Sequence, residues 1–260
     1  MTELVGLEYT GPIARVTLTR PDRRNALSIE MCDEMASAVH EVDARPEIRA
    51  AVLSGAGEVF CAGADLSAVS GPHAADFIGP FERMLEAVAR CRVPVIAAVH
   101  GAALGGGLQL ATACDFRVAA STATLGIPAS RLGVVVNFEN VRRLALLVGI
   151  SVAKEILMAG RTFSGAEALA SGLVNESVEG AVGEASDRWA HDIAALSPLS
   201  VQGAKRSLEV LADHTANARR SAPEDVAALD ALVRAAYGSD DLKEGLAALR
   251  DKRPSNFRGV

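Results

Sequence analysis

One stretch, residues 95–111, constrains the fold more than any other. It runs Val95-Ile-Ala-Ala-Val-His-Gly-Ala-Ala-Leu-Gly-Gly-Gly-Leu-Gln-Leu-Ala111. Its first five residues are small or β-branched and apolar, which suits a strand buried on both faces. The chain then turns through Gly101 and Gly105-Gly106-Gly107. It continues as Leu108, Leu110 and Ala111, the buried opening of a helix. A strand that passes through glycines into a helix presents unpaired backbone N–H groups and the positive end of a helix dipole. Such a place holds a phosphate, a carboxylate or a developing oxyanion. No Lys-Ser or Lys-Thr follows the glycines, and their spacing is not G-x-G-x-x-G. An oxyanion is therefore favoured, although a tight buried turn with no ligand would use the same glycines.

Composition narrows the class. Half of the 260 residues are hydrophobic, enough for a sizeable core. A net charge of −6 argues against nucleic acid or an anionic membrane as the main partner. Cys32, Cys61, Cys91 and Cys114 are far apart and form no C-x-x-C pair. Neither a disulfide framework nor a zinc site is expected, no metal-ligand spacing occurs, and a reducing cytoplasm is the expected location. No signal peptide is visible at Met1-Thr-Glu-Leu4, and no apolar run reaches the ~20 residues of a membrane span.

In chain order, Leu4 to Tyr9 and Ile13 to Thr19 flank Gly11-Pro12 and read as a hairpin. Residues 20–27 form a polar loop. Ser28 is placed to cap a helix whose inner face is Met31, Met35, Val39 and Val42. Ala51 to Leu53 is a short strand, and Ser54 to Asp65 a long loop of small residues at its end, where function concentrates on a rigid sheet. Ser67 to Gly79 is weakly patterned and is expected to be mobile. Phe77 to Arg90 is an amphipathic helix with Phe81, Leu85 and Val88 inward, and Pro94 opens the central strand. Asp115 to Ala119 and Ala123 to Gly126 are further strands. Alternating strands and helices imply right-handed parallel crossovers with ligand near the strand C-termini. From Asn140 onward the chain reads mostly as helix. Its faces include Val201, Ala204, Leu208 and Leu211, then Val226, Leu229, Leu232 and Val233, then Leu242, Leu246 and Leu249. Ser197-Pro198 marks a boundary, giving a core of residues 1–199 and a helical region of residues 200–260. The apolar stripes of that region call for packing on the core or on other subunits.

Several motifs now align in order. They are Arg20-Pro21 with Asn25-Ala-Leu27, Phe60-Cys-Ala-Gly-Ala-Asp-Leu66, Pro94-Val-Ile-Ala-Ala-Val-His-Gly101 with Gly105-Gly-Gly107, and Cys114-Asp115. Ala153-Lys-Glu-Ile-Leu157, Gly160-Arg161, Ala166-Glu-Ala168, Gly172-Leu-Val174 and Lys252-Arg-Pro254 follow. Together they resemble the crotonase, or enoyl-CoA hydratase/isomerase, superfamily over nearly the whole chain. The resemblance implies an α/β crotonase-like spiral of ββα turns with a C-terminal helical trimerisation region, a homo-trimer or hexamer, and an acyl-CoA ligand. It implies no cofactor beyond the coenzyme A of the substrate. By position, the amides of Ala64 and Gly106 would hold the thioester oxygen. Arg24 and Ala26, with the loop of Ala62, Ala64, Asp65 and Leu66, would contact the coenzyme. Arg20 and Arg23 are further candidates for phosphate contact.

The departures bear on chemistry. Hydratases of this family use two glutamates as acid and base. The first position is Gln109 here, and the second, in Pro128-Ala129, is Ala129. The acid of other branches, eight residues on, is Asn137. Gln109, Ala129 and Asn137 thus border the expected acyl site without a charge. Glu139 remains as an acid/base candidate, although a glutamate in a first helical turn ordinarily serves the dipole. Asp65 beside an oxyanion would oppose the chemistry and reads as loop-fixing. His100 reads as hydrogen-bonded structure, and His40, His73, His191 and His214 have no partner pattern. Three classes of function stay open: an acyl-CoA enzyme of weak syn-hydratase activity, an acyl-CoA binding protein without turnover, and a dinucleotide or phosphate-binding α/β protein.

Overall fold

The computed structural model describes residues 3–69, 74–218 and 223–258, without the side chains of 214–218, 223–226, 228 and 229. His73 and the side chains of His214, Val226 and Leu229 therefore lie outside the described residues. Strands β1 (Val5–Thr10) and β2 (Ile13–Leu18) form the expected antiparallel hairpin, closed by Gly11 at φ 57°. Helix α1 (Ile29–Asp43) opens on Ser28, whose hydroxyl accepts the Met31 amide at 3.2 Å. Strand β3 (Ala50–Gly55), helix α2 (Ile78–Arg90) and strand β4 (Val95–Val99) follow. In the weakly patterned stretch, Ala74–Phe77 is a single 3₁₀ turn, and residues 70–73 lie outside the described residues.

Residues 102–126 then add strand β5 (Ala102–Leu104), helix α3 (Gly106–Ala113), strand β6 (Phe116–Ala120) and strand β7 (Thr124–Gly126). Helix α4 (Phe138–Leu157) is broken at Gly149, which takes φ 73° and ψ 164°. Strand β8 (Thr162–Ser164), helix α5 (Gly165–Ala170), strand β9 (Glu176–Val178) and helix α6 (Val182–Ala194) complete the core. Helices α7 (Pro198–Ala218), α8 (Pro223–Gly238) and α9 (Asp240–Arg250) end the chain.

The main sheet has the order β1-β2-β3-β4-β6-β9, parallel from β2 onward. A second sheet, β5-β7-β8, stands apart. Successive strands step across the main sheet in one direction, so the early crossover helices share one face. There Val16, Leu18, Leu53, Ala97 and Val99 meet Met31, Met35 and Val39 of α1, Met84 and Leu85 of α2, and Leu108 of α3. The alternate residues Ile13, Ala50, Val52, Ile96, Ala98 and Val118 meet Val182, Ala185 and Ala190 of α6 on the other face. The continuous apolar reading of β4 is thereby explained, since all five of its residues are buried.

Two features depart from the sequence expectation. Strands β5, β8 and β9 are three residues each, too short to carry a periodic pattern. Helix α7 is not docked through its apolar face: Leu208 and Leu211 are more than half exposed. It is pinned instead by Lys205, buried, whose ammonium donates to Asp115 Oδ2 at 2.7 Å and to the Val93 carbonyl at 3.2 Å. Among the described residues, no helix is long and apolar enough to cross a membrane.

Candidate functional site

The glycine turn is built from three close approaches. A Cβ on Gly101, at φ 58°, would lie 2.0 Å from the Glu58 carbonyl oxygen. A Cβ on Gly107 would lie 2.3 Å from the Cys61 carbonyl oxygen. Gly105 precedes α3 at φ 54° and ψ −118°, and its own amide is taken by the Gly126 carbonyl of β7 at 2.9 Å. Gly106 is the first residue of α3, so no carbonyl lies a turn behind it to accept its N–H.

The small-residue loop is strung between two neighbours. On one side the amides of Phe60 and Cys61 donate to the carbonyls of His100 and Ala102 at 2.9 and 3.0 Å, and the Leu104 amide donates to the Cys61 carbonyl at 3.0 Å. On the other side Ala62 donates to the Arg24 carbonyl at 3.0 Å. Leu27 donates to the Gly63 carbonyl, and Asp65 to the Leu27 carbonyl, each at 2.8 Å. Extended pairing uses alternate amides of one chain edge. The amide between those of Gly63 and Asp65, that of Ala64, consequently faces away from Leu27. Among the described residues neither the Ala64 nor the Gly106 nitrogen donates a hydrogen bond. They are close: a Cβ on Gly106 would sit 3.4 Å from the Ala64 nitrogen, and a Cβ on Gly63 would sit 3.5 Å from the Gly106 nitrogen. Leu27 and Phe81 flank the same spot, each 3.3 Å from that Gly106 position.

Asn25 ties the polar loop to this strip. It is fully buried at φ 54°, and its amide nitrogen reaches the carbonyls of Ala56, Val59 and Phe60 at 2.9, 2.8 and 3.2 Å. Its oxygen accepts the Arg20 amide at 3.0 Å. Arg20 in turn donates to the Ala26 carbonyl and to Asp65 Oδ2, at 3.1 and 2.7 Å. Ser67 donates its hydroxyl and its amide to Asp65 Oδ1 at 2.7 and 3.0 Å. Burial pushes the Asp65 carboxyl upward, but the Ser67 bonds and Arg20 outweigh it and hold the group below its ordinary value. Asp65 and Arg20 are thus committed to holding the loop. Arg23 and Arg24 are exposed, and among the described residues their guanidinium groups have no hydrogen-bonded partner. Leu66 is 43% exposed at the end of the strip. Burial pushes the Cys61 thiol up to about 12, which keeps it protonated and unreactive beside the site.

The remaining candidates divide. Gln109 is half-buried in the first turns of α3, its amide bonded to the Gly105 carbonyl at 3.1 Å. Ala129 opens a 3₁₀ turn, Ala129–Arg131, and packs on the core. Asn137 caps α4: its Oδ1 accepts the Asn140 amide at 3.0 Å, and its Nδ2 donates to Glu82 at 2.6 Å. Glu139, in the first turn of α4, receives Arg142 at 2.5 and 2.8 Å and lies 3.4 Å from Arg143. His100 Nε2 is 3.1 Å from the Gly57 carbonyl, the structural contact expected for it.

Two cavities flank these elements. One of about 480 Å³ is lined by Glu82, Leu85, Asn137, Phe138 and Glu139, with Leu85 one turn of α2 beyond Phe81. The other, of about 890 Å³, lies between Leu66 and Ser67 of the strip and Tyr237, Arg234, Leu242 and Leu246 of α8 and α9. Burial and the nearby Glu82 carboxylate push the Tyr237 phenol up to about 12. Sequence reasoning did not single out Asn25 or Tyr237. An asparagine within a loop gives no sign that it will be buried, and the approach of α8 to residue 66 is purely tertiary.

The comparisons with known proteins agree with one another. The sequence model of the family described as Enoyl-CoA hydratase/isomerase matches residues 8–260. A protein from Mycobacterium tuberculosis named probable enoyl-CoA hydratase echA6 is 35% identical over 259 residues, covering 99% of this chain and 100% of the relative. Among solved structures, an enoyl-CoA hydratase/carnithine racemase from Magnetospirillum magneticum is 33% identical with TM-score 0.78, covering 100% of this chain and 97% of that one. A methylmalonyl-CoA decarboxylase complexed with 2S-carboxypropyl-CoA is 27% identical with TM-score 0.88, covering 100% of both chains.

Proposed function

This chain belongs to the enoyl-CoA hydratase/isomerase family, and from that premise we propose that it grips an acyl-CoA thioester by its carbonyl oxygen between the amides of Ala64 and Gly106. The observation that carries the proposal is the pair of adjacent, unspent N–H groups, one from each of two differently anchored segments. An enolate or a tetrahedral adduct places negative charge on that oxygen, and two fixed donors at a helix N-terminus stabilise it. Arg24, Ala26, Ala62 and Leu66 lie along the strip that would follow the coenzyme. Gln109, Ala129 and Asn137 would border the acyl group.

Syn-hydration is expected to be weak. Without titrating groups at residues 109 and 129, the water route loses the ~10²–10⁴-fold that each acid or base supplies. Glu139 is the carboxylate proposed for proton transfer, and to act it must release Arg142 and Arg143. Of the reactions an oxyanion site runs, decarboxylation asks least of side chains. Carbon dioxide leaves the α-carbon, the bonding pair becomes the enolate held by the two amides, and solvent returns a proton. The similarity to a methylmalonyl-CoA decarboxylase supports testing a carboxylated acyl group first. The exposed Leu199 and Leu208 of α7 support burial between copies, as a homo-trimer or hexamer. The four buried thiols suit a cytoplasmic setting.

A second reading, an acyl-CoA binding protein without turnover, is favoured by one specific observation: Glu139 is held by two arginines. Calorimetry with butyryl-CoA, coenzyme A and NAD, beside crotonyl-CoA hydration and methylmalonyl-CoA decarboxylation, decides between them. Preferential binding of the thioester over coenzyme A supports the two-amide grip, and turnover of either ester supports the enzyme. Binding of NAD with no binding of butyryl-CoA would overturn the proposal.

A further inference from the structure

The far end of α3 holds a buried charge that the chemistry above does not use. Arg117, on β6, is 2% exposed and is the largest fully buried side chain described. Its Nη1 donates to the carbonyls of Ala111 and Cys114 at 3.3 and 2.8 Å, the last turn of α3 and the residue after it. Its Nε donates to the Leu173 carbonyl at 2.9 Å, and its Nη2 to the Asp115 carbonyl and Asn175 Oδ1, both at 3.4 Å. Every one of these acceptors is neutral. The nearest carboxylate, that of Asp115, is spent on the Lys205 ammonium and the Val95 amide. The group of Arg117, Lys205 and Asp115 therefore carries one uncancelled positive charge inside the protein, an expensive arrangement when it serves no purpose.

Its position suggests a purpose. Helix α3 runs Gly106–Ala113, eight residues or ~12 Å, and its first amide is the one proposed to face the thioester oxygen. A charge at the C-terminal end cancels the negative pole of the helix. It also adds its own positive potential at the other end. Resting on the two-amide reading, we infer that Arg117 is a positioning residue that raises the positive potential at the Gly106 amide through α3. Burial pulls its pKa below the ordinary guanidinium value, but a guanidinium keeps its proton in proteins at neutral pH. A unit charge acting over ~12 Å at an effective dielectric of ~20 changes binding of a negative oxygen by about tenfold.

Charge and packing at Arg117 have different signatures in a probe of carbonyl polarisation. The probe is 4-(dimethylamino)cinnamoyl-CoA, whose absorption moves to the red as its thioester carbonyl is polarised. Asn175 is exposed, and its Oδ1 accepts both the Arg117 amide and Nη2. Asn175→Asp keeps those bonds and sets a negative charge against the guanidinium. It should shrink the red shift and weaken probe binding, with the melting temperature little changed. Arg117→Gln, where it folds, should weaken binding by up to about tenfold, and Arg117→Lys should recover most of the shift. A wild-type red shift that Asn175→Asp and folded Arg117→Gln both retain in full overturns the inference and leaves the two-amide reading standing. Probe bound to wild type with no red shift overturns both.

Discussion

Gly106→Ala asks the sharpest question of the site, because the geometry separates its effect on binding from its effect on stability. Gly106 has no positive φ, so alanine meets no backbone strain there. The added carbon would stand 3.3 Å from Leu27 Cδ1 and Phe81 Cε2, close enough that these flexible side chains shift by a few tenths of an ångström. Against that small cost, alanine in place of glycine in a helix contributes up to ~1 kcal/mol. The two nearly offset, and for a chain of this size ~1 kcal/mol moves the melting temperature by only about 2–4 °C. Binding is different. The same carbon would sit 3.4 Å from the Ala64 nitrogen. A carbonyl oxygen shared by both amides must lie ~2.7–3.1 Å from each nitrogen, so the methyl group stands next to its place and crowds it. Losing one neutral hydrogen bond costs about 1 kcal/mol, or ~5-fold in the ground state, and steric exclusion adds to it. Where charge develops on the oxygen the loss is ~3 kcal/mol, roughly 10²-fold in rate. The assay is calorimetry with butyryl-CoA and with free coenzyme A, beside a thermal melt. The expected result is butyryl-CoA bound at least ~10-fold more weakly, coenzyme A bound as before, and a melting temperature within about 4 °C of wild type. Unchanged butyryl-CoA affinity in the folded variant would refute the assignment of these two amides.

Three other perturbations follow from the same contacts. Gly107→Ala forces a carbon to 2.3 Å from the Cys61 carbonyl oxygen, with backbone on both sides, and should cost ~3 kcal/mol or more, read as loss of soluble protein or a melting temperature lower by about 6 °C or more. Asp65→Asn releases Arg20 and should loosen the loop, weakening butyryl-CoA binding severalfold by calorimetry. Because the folded Asp65 carboxyl titrates below its unfolded value, its stabilisation is present at neutral pH and fades as pH falls through the folded value; melts across pH 3–6 should show a shallower acid decline in Asp65→Asn than in wild type. Gln109→Glu with Ala129→Glu should raise crotonyl-CoA hydration, followed at the enone absorption band; wild-type rates equal to those of the double variant would mean that the missing carboxylates were never limiting.

Much of this molecule was legible before its coordinates. The alternation of Ile13 to Thr19 and the unbroken apolar run of Val95 to Val99 each specify a strand, and the second also specifies burial on both faces. The methionine stripe of α1 packs as core, as its spacing demands. The glycine triplet announced a close backbone approach, and Gly107 against Cys61 is that approach. What stayed hidden was decided by tertiary contact. Strands β8 and β9 exist because neighbouring edges were available to pair with them. The stripe on α7 gave an apolar face without saying what it would meet, and a lysine flanking that stripe made the buried contact. Arg117 did leave a signal, an arginine inside an otherwise apolar strand, which implies a buried charge with a dedicated set of acceptors. Asn25 left less, since nothing local distinguishes a buried asparagine from a solvated one.

The strip formed by residues 24–27, 60–65 and 100–106 is, in effect, a small patch of parallel pairing laid across successive turns of the chain. The working parts proposed for it are peptide groups, which among substitutions only proline removes outright. On the proposed two-amide grip, holding the ester and transforming it are separable traits. Side chains at residues 109 and 129 could then be exchanged, giving a new reaction or none, while the same ester would still be held.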